Sequence, residues 1–88
     1  MIFFVYMIGS KVKNKTISYV GYTNNLKNRL NLHNASKGAK FTKGRKWKLI
    51  YYKKYKSKSE AMKYEYKLKK NYILRNKIKN ENFNFTTI

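Results

Sequence analysis

Positive charge constrains this chain more than anything else in it: 22 lysines and arginines stand against three glutamates and no aspartate, leaving a formal net charge of +19. Like charges at that density oppose compaction. Only a well-packed core, or a polyanion held against the surface, offsets them. The 88 residues make one domain with one core, which hides about 60–65% of the unfolded surface. Apolar residues at 42% and aromatics at 17% suffice for that core and exceed what a disordered chain of this charge would carry. The polyanion most consistent with such a surface is nucleic acid. AT-rich coding would explain an excess of lysine, but not the shortage of glutamate, whose codons are nearly as AT-rich.

The lack of cysteine excludes a disulfide framework and every cysteine-based metal site, and suggests a cytoplasmic protein. The opening run Ile2–Ile8 is apolar, but no basic segment precedes it, no small-residue cleavage site follows it, and it is too short to span a bilayer. It reads as a strand, and no membrane partner is expected.

With no proline and no repeat, organisation is read from periodicity and turn residues. Residues 2–8 form a first strand, residues 9–15 a hairpin loop and residues 16–22 a second strand. A turn about the middle of that loop sets Tyr6 opposite Tyr19, Phe4 opposite Gly21 and Ile8 opposite Ile17. Two phenols then project from one face, and Gly21 leaves bare backbone beside them to admit a phosphate. Thr23 or Asn24 caps a helix running to about Ala35, with Leu26 and Leu30 on one face and Arg29 and His33 on another. Trp47–Tyr52 has the composition of a third strand. Ser57 and Glu60 form a capping box. The helix it opens runs from about residue 58 into the seventies, with Ala61, Tyr64 or Glu65, Leu68 and Tyr72 at helical spacing and lysine on its outer face. The domain is expected over residues 1–79. Residues 80–88 form a tail, either a docked extended segment or a frayed end. The order ββαβα predicts an α+β fold, a small three-stranded mixed or antiparallel sheet flanked by helices, with room for a short C-terminal helix extension.

Several segments resemble a known family. Val5-Tyr6-Met7-Ile8 followed by Tyr19-Val20-Gly21 looks like the paired tripeptides of the GIY-YIG nucleases. Asn25–Asn34 is similar to that family's helix with Arg and His four apart, here Arg29 and His33. Lys37-Gly38-Ala39-Lys40-Phe41-Thr42 resembles a segment of its small stand-alone members, and Glu60–Glu65 with Lys69 behind it is similar to the helix bearing its metal-binding Glu. The resemblance covers about Phe3 to Ile78. It implies a single-metal nuclease with the metal Glu at Glu65. The first tripeptide departs from the family's at two of three letters, with Tyr6 in the place of its tyrosine, and Val20 replaces the usual Ile. Further on, Tyr22 stands where the family often has Lys, and Lys77, beside Asn76, where it often has Asn.

The residues themselves point to the same chemistry. Hydrolysis of a phosphodiester needs a base for water, a cation for the charge developing on phosphate, and help for the leaving oxyanion. With so few carboxylates a multi-carboxylate two-metal site is not expected, and one Mg²⁺ or Mn²⁺ held by a single Glu fits. The expected catalytic set is Tyr6 as general base assisted by Tyr19, Arg29 on the scissile phosphate, His33 as hydrogen-bonding partner or proton relay, and Glu65 on the metal. A phenol titrates near ~10, so Arg29 and the lysines are expected to depress Tyr6. Gly21, Tyr22, Lys37, Lys40, Lys43, Arg45, Lys46 and Lys69 are the expected nucleic-acid contacts. Each residue also has a plainer reading: strand tyrosines, surface cations, a Glu65–Lys69 ion pair worth a few tenths of a kcal/mol, and Trp47, Tyr51 and Tyr52 as core rather than base-stacking groups.

These features predict a Mg²⁺-dependent endonuclease for single-stranded, nicked or branched DNA, with a place in DNA repair and RNA as the alternative substrate. A second reading is a binding module of the same fold that cleaves nothing. A third, an RNA-binding protein, accounts for the charge but not for the tyrosines with Arg29, His33 and Glu65.

Overall fold

A computed structural model describes residues 1–83. The elements are β1 (Phe3–Val12), β2 (Lys15–Thr23), α1 (Leu26–Asn34), β3 (Lys48–Tyr55), α2 (Lys58–Lys70) and α3 (Tyr72–Phe83), an α+β fold in the order ββαβαα. The sheet is antiparallel throughout, with β1 between β2 and β3.

The central place of β1 explains its composition. Alternate residues of a strand face opposite sides, and both sides of β1 are covered. Val5 and Met7 pack with Val20, Ala61, Leu68 and Ile78 beneath α2 and α3. Tyr6 and Ile8 pack with Trp47, Leu26 and Leu30 beneath α1. An uninterrupted apolar run is what a strand covered on both faces requires.

The hairpin differs from expectation. Both strands run on to a two-residue loop at Lys13 and Asn14, so Tyr6 lies opposite Gly21 and Tyr19 opposite Ile8. Lys13 has φ 56°, the left-handed backbone that a twist-matched two-residue hairpin requires at its first central residue. Ser10, Lys11 and Lys15 read as loop because they are polar, yet they belong to the ladder. The displacement is two residues along β2, an even number, so Tyr6 and Tyr19 still share a face as diagonal neighbours.

Helix α1 is capped by Asn25, not Thr23 or Asn24. Asn25 Oδ1 accepts from the Asn28 N–H at 3.0 Å, because Thr23 is still the end of β2. Strand β3 starts after Trp47 and shifts register opposite Met7/Ile8. Trp47 is core, its backbone N–H bonded to Asn34 Oδ1 at 2.6 Å and its indole Nε1 to the Thr42 carbonyl at 2.9 Å. Tyr51 packs on the core too, but Tyr52 is exposed.

Ser57 caps α2 as expected, accepting from the Glu60 N–H at 3.2 Å. The long second helix is in fact two. Asn71 closes α2, and its side-chain carbonyl accepts from the Leu74 N–H at 3.1 Å to open α3, the local side-chain bonding by which Asn interrupts helices. Residues 80–83 of the expected tail belong to α3, and the Asn82 amide donates to Ile78 O at 2.8 Å and to Ile50 O on β3 at 3.4 Å. Residues 84–88 lie outside the described part.

Candidate active site

Two glycines make room for one buried hydrogen-bonded chain. A Cβ on Gly21 would stand 2.5 Å from Tyr6 Oη, so the phenol lies across the bare backbone of β2. The space expected to admit a phosphate is thus filled by Tyr6. A Cβ on Gly38 would likewise collide with the His33 ring.

Tyr6 Oη is 2.7 Å from His33 Nε2, and His33 Nδ1 is 2.9 Å from Thr42 Oγ1. Bond directions follow from the far end. The Thr42 hydroxyl has one proton and gives it to the Ala39 carbonyl at 3.0 Å, a group that only accepts. Nδ1 must therefore donate to Thr42, leaving the Nε2 lone pair of a neutral imidazole to accept from Tyr6. His33 is wholly buried, and that burial, with Arg29 second, holds its pKa below the usual value.

Tyr6 departs from the expected titration. Burial raises its pKa, and this outweighs the lowering by Arg29, whose guanidinium lies against the phenol; Tyr19 and Glu65 add smaller upward contributions. The spacing of Arg29 supplies the cation, whereas the desolvation comes from the side chains that pack around the phenol. The phenol therefore holds its proton in the resting site and needs an acceptor, which His33 Nε2 provides.

Arg29 and His33 come from successive turns of α1, and Arg29 Nη2 also donates to Gly38 O at 3.1 Å, tying the basic loop to the site. The Tyr19 ring is 5.1 Å from that of His33. Glu65 follows Ala61 and precedes Leu68 on the inward stripe of α2, and its side chain is only 18% exposed, with Lys69 Nζ at 3.5 Å. Four of the five residues expected to be catalytic, Tyr6, Tyr19, Arg29 and His33, thus meet, while Glu65 contacts Lys69 and its effect on Tyr6 is the smallest of those acting there. Among the described residues no three His, Cys, Asp or Glu cluster as a metal cage.

The expected nucleic-acid contacts divide. Lys37, Lys40 and Lys43 ring a hollow with Gly38 and Ala39. Arg45 lies over the Phe41 ring at 5.5 Å, and Lys46 is exposed nearby. Tyr22 faces the other side of the sheet, against the α2–α3 core. Thr42, Phe41 and Arg75 carried no assigned role in the sequence. Thr42 lies in a loop without periodicity, and only its place in the Lys37–Thr42 segment hinted at it.

The catalytic-domain model of the GIY-YIG family matches residues 2–82. The chain belongs to that family and has a nuclease-type fold. It is 54% identical over 52 residues to a UPF0213 protein of Oceanobacillus iheyensis, covering 58% of this chain and 60% of the relative. UPF0213 proteins of Staphylococcus haemolyticus (46% over 67 residues, 75% of this chain and 78% of the relative) and Clostridium perfringens (43% over 68 residues, 76% and 70%) are also similar. No solved structure matches. Among the described residues no helix is long and apolar enough to cross a membrane.

Proposed function

We propose that this chain is a metal-dependent endonuclease that hydrolyses DNA in single-stranded, nicked or branched form. The observation that carries the reading is the buried Tyr6–His33–Thr42 chain, oriented so that a neutral imidazole receives the phenol's proton. Solvent-exposed tyrosines need no such arrangement.

Tyr6 passes its proton to His33 Nε2 and takes another from the attacking water. The water oxygen bonds to phosphorus as the bond to the leaving sugar oxygen breaks. That oxygen takes a proton from solvent, and the proton held on His33 returns to solvent before the next turnover. Arg29 balances the charge that gathers on the phosphate, and Thr42 keeps the imidazole in the accepting tautomer. Tyr19 packs beside His33 and limits its motion.

The donor set suits Mg²⁺ or Mn²⁺. These ions take oxygen ligands and use one or two carboxylates together with substrate phosphate, and Glu65 is a largely buried carboxylate whose charge is felt at Tyr6. Glu65 would hold the ion, which would supply Lewis-acid stabilisation of the negative charge that develops during hydrolysis.

Labelled single-stranded, duplex, flap and four-way DNA, and RNA of the same sequence, incubated with Mg²⁺, Mn²⁺ or chelator, test this reading. Metal-dependent cleavage of unpaired DNA is expected, with none by Glu65→Gln. The Glu65–Lys69 ion pair favours a second reading, a binding module in which Glu65 is merely paired. Tight binding without cleavage in either metal would establish it. If Glu65→Gln cleaves like the parent, Glu65 is not the metal ligand.

A further inference from the structure

The outer edge of β2 gathers groups that the Tyr6 chain does not use. Among the described residues no strand lies beyond β2, and a hollow of about 310 Å³ opens there, walled by Ser18, Tyr19, Val20, Phe41, Lys69 and Arg75. One end is cationic and the other aromatic.

At the cationic end, Arg75 Nε is buried without a hydrogen-bond partner. A desolvated donor left unpaired is costly, and a guanidinium fork is shaped to donate to two oxygens of a phosphate. Lys69 stands beside it with a half-exposed side chain, held by the 3.5 Å ion pair to Glu65. Lys69 is the exposed partner of that pair, so its ammonium can face a second anion as well.

At the aromatic end, Phe41 is 50% exposed. Its ring stacks on Tyr19 (centroids 6.2 Å apart, planes 20° apart), and a base stacking on it would displace the Arg45 guanidinium that lies 5.5 Å over it. An exposed ring amid lysines contributes little to the core, but any unpaired base can stack on it. Tyr19 joins this hollow to the site, since its ring also lies 5.1 Å from His33.

We infer that the β2 edge is a nucleotide subsite: Arg75 and Lys69 hold a backbone phosphate next to the cleaved one, and Phe41 stacks on an unpaired base. The chain thereby selects single-stranded nucleic acid. The position beside a cleaved phosphate rests on the nuclease reading, whereas binding by these residues does not.

Anisotropy of a labelled single-stranded oligonucleotide and of its duplex, in chelator, tests the subsite without cleavage. Arg75→Gln should weaken single-strand binding about tenfold at physiological salt and make the slope of log affinity against log salt shallower by ~0.7. Lys69→Gln, at a half-exposed position, should do the same without threatening the fold and decides the matter if Arg75→Gln does not fold. Phe41→Ala should cost about tenfold on the single strand and nothing on the duplex. Lys13→Asn, at the far hairpin turn, should have little effect on either. Parent-like affinity and slope in the two cation variants, or equal losses on both substrates for Phe41→Ala, would overturn the subsite. If the parent never cleaves but these losses appear, the subsite stands and the nuclease reading falls. If the parent cleaves and the variants bind unchanged, the reverse holds.

Discussion

Tyr6 has no spare room, and that makes its role testable by very small changes. Tyr6→Phe removes one oxygen. Cleavage should fall by ~10² or more, and stability by about 1–2 kcal/mol because His33 Nε2 loses its buried donor. Near-parent turnover would move the base to Tyr19 or His33. Gly21→Ala adds one methyl where Tyr6 Oη would stand 2.5 Å away. It should cost about 1–3 kcal/mol as overpacking and lower cleavage by displacing the phenol, and thermal melts with parallel rate measurements check both. The pH dependence has a definite sign. His33 is held below its ordinary value by burial, so below about pH 6.5 the unfolded chain takes up a proton that the folded chain refuses. Stability present above that pH is lost as the pH falls towards the folded value. Tyr6 is raised, so stability also falls as the pH climbs past ~10, where the unfolded phenol ionises first. A melting profile against pH should show both limbs, and His33→Gln should flatten the acid one. An unchanged acid limb in that variant would mean that His33 is not what titrates. Side-chain types and spacings in the sequence singled out Tyr6, Tyr19, Arg29 and His33, which the fold brings together, and the family resemblance singled out Glu65. The direction of the Tyr6 shift was not legible there, because desolvation depends on what packs around a group.

Elements followed the sequence wherever a local signal settled them, and departed where a neighbouring element decided. The Ser57 cap and the apolar β1 run are local. The hairpin register was set by how far the ladder could zip, and polar Ser10, Lys11 and Lys15 hid that extent. Asn71 hid the break between α2 and α3, since an Asn amid good helix formers reads as an ordinary helical residue until its amide is seen to cap the next helix. That break directs α3 back across the sheet, where Ile78 enters the core and Arg75 reaches the β2 edge. Asn71→Ala should cost about 1 kcal/mol as a lost cap. If the break positions Arg75, the variant should also share the shallower salt slope of Arg75→Gln while retaining the Tyr6 site. A variant that loses stability but binds with the parent's slope would separate the cap from the subsite.

Charge acts on the molecule as a whole. A body of 41 × 28 × 18 Å carrying +19 presents most of its lysines within a few Debye lengths of one another, with ~8 Å as that length at physiological salt. Duplex DNA bears one charge per ~1.7 Å of axis. The long dimension therefore faces roughly two dozen phosphates, about half of them on the near side. Lys37, Lys40 and Lys43 around the loop hollow and Lys69 at the β2 edge are placed to contact some of these. Each phosphate neutralised steepens the fall of log affinity with log salt by ~0.9 for duplex and ~0.7 for a single strand. A slope of about −4 to −8 on duplex is expected, with the lysines sharing the load so that no single neutralisation removes more than about one unit. The same field stabilises the folded chain when it binds, because a polyanion relieves the self-repulsion that +19 imposes. The melting temperature should therefore rise with added DNA and, in its absence, with added salt. A slope shallower than about −2, together with a melting temperature indifferent to both additions, would show that the charge is not organised for a polyanion.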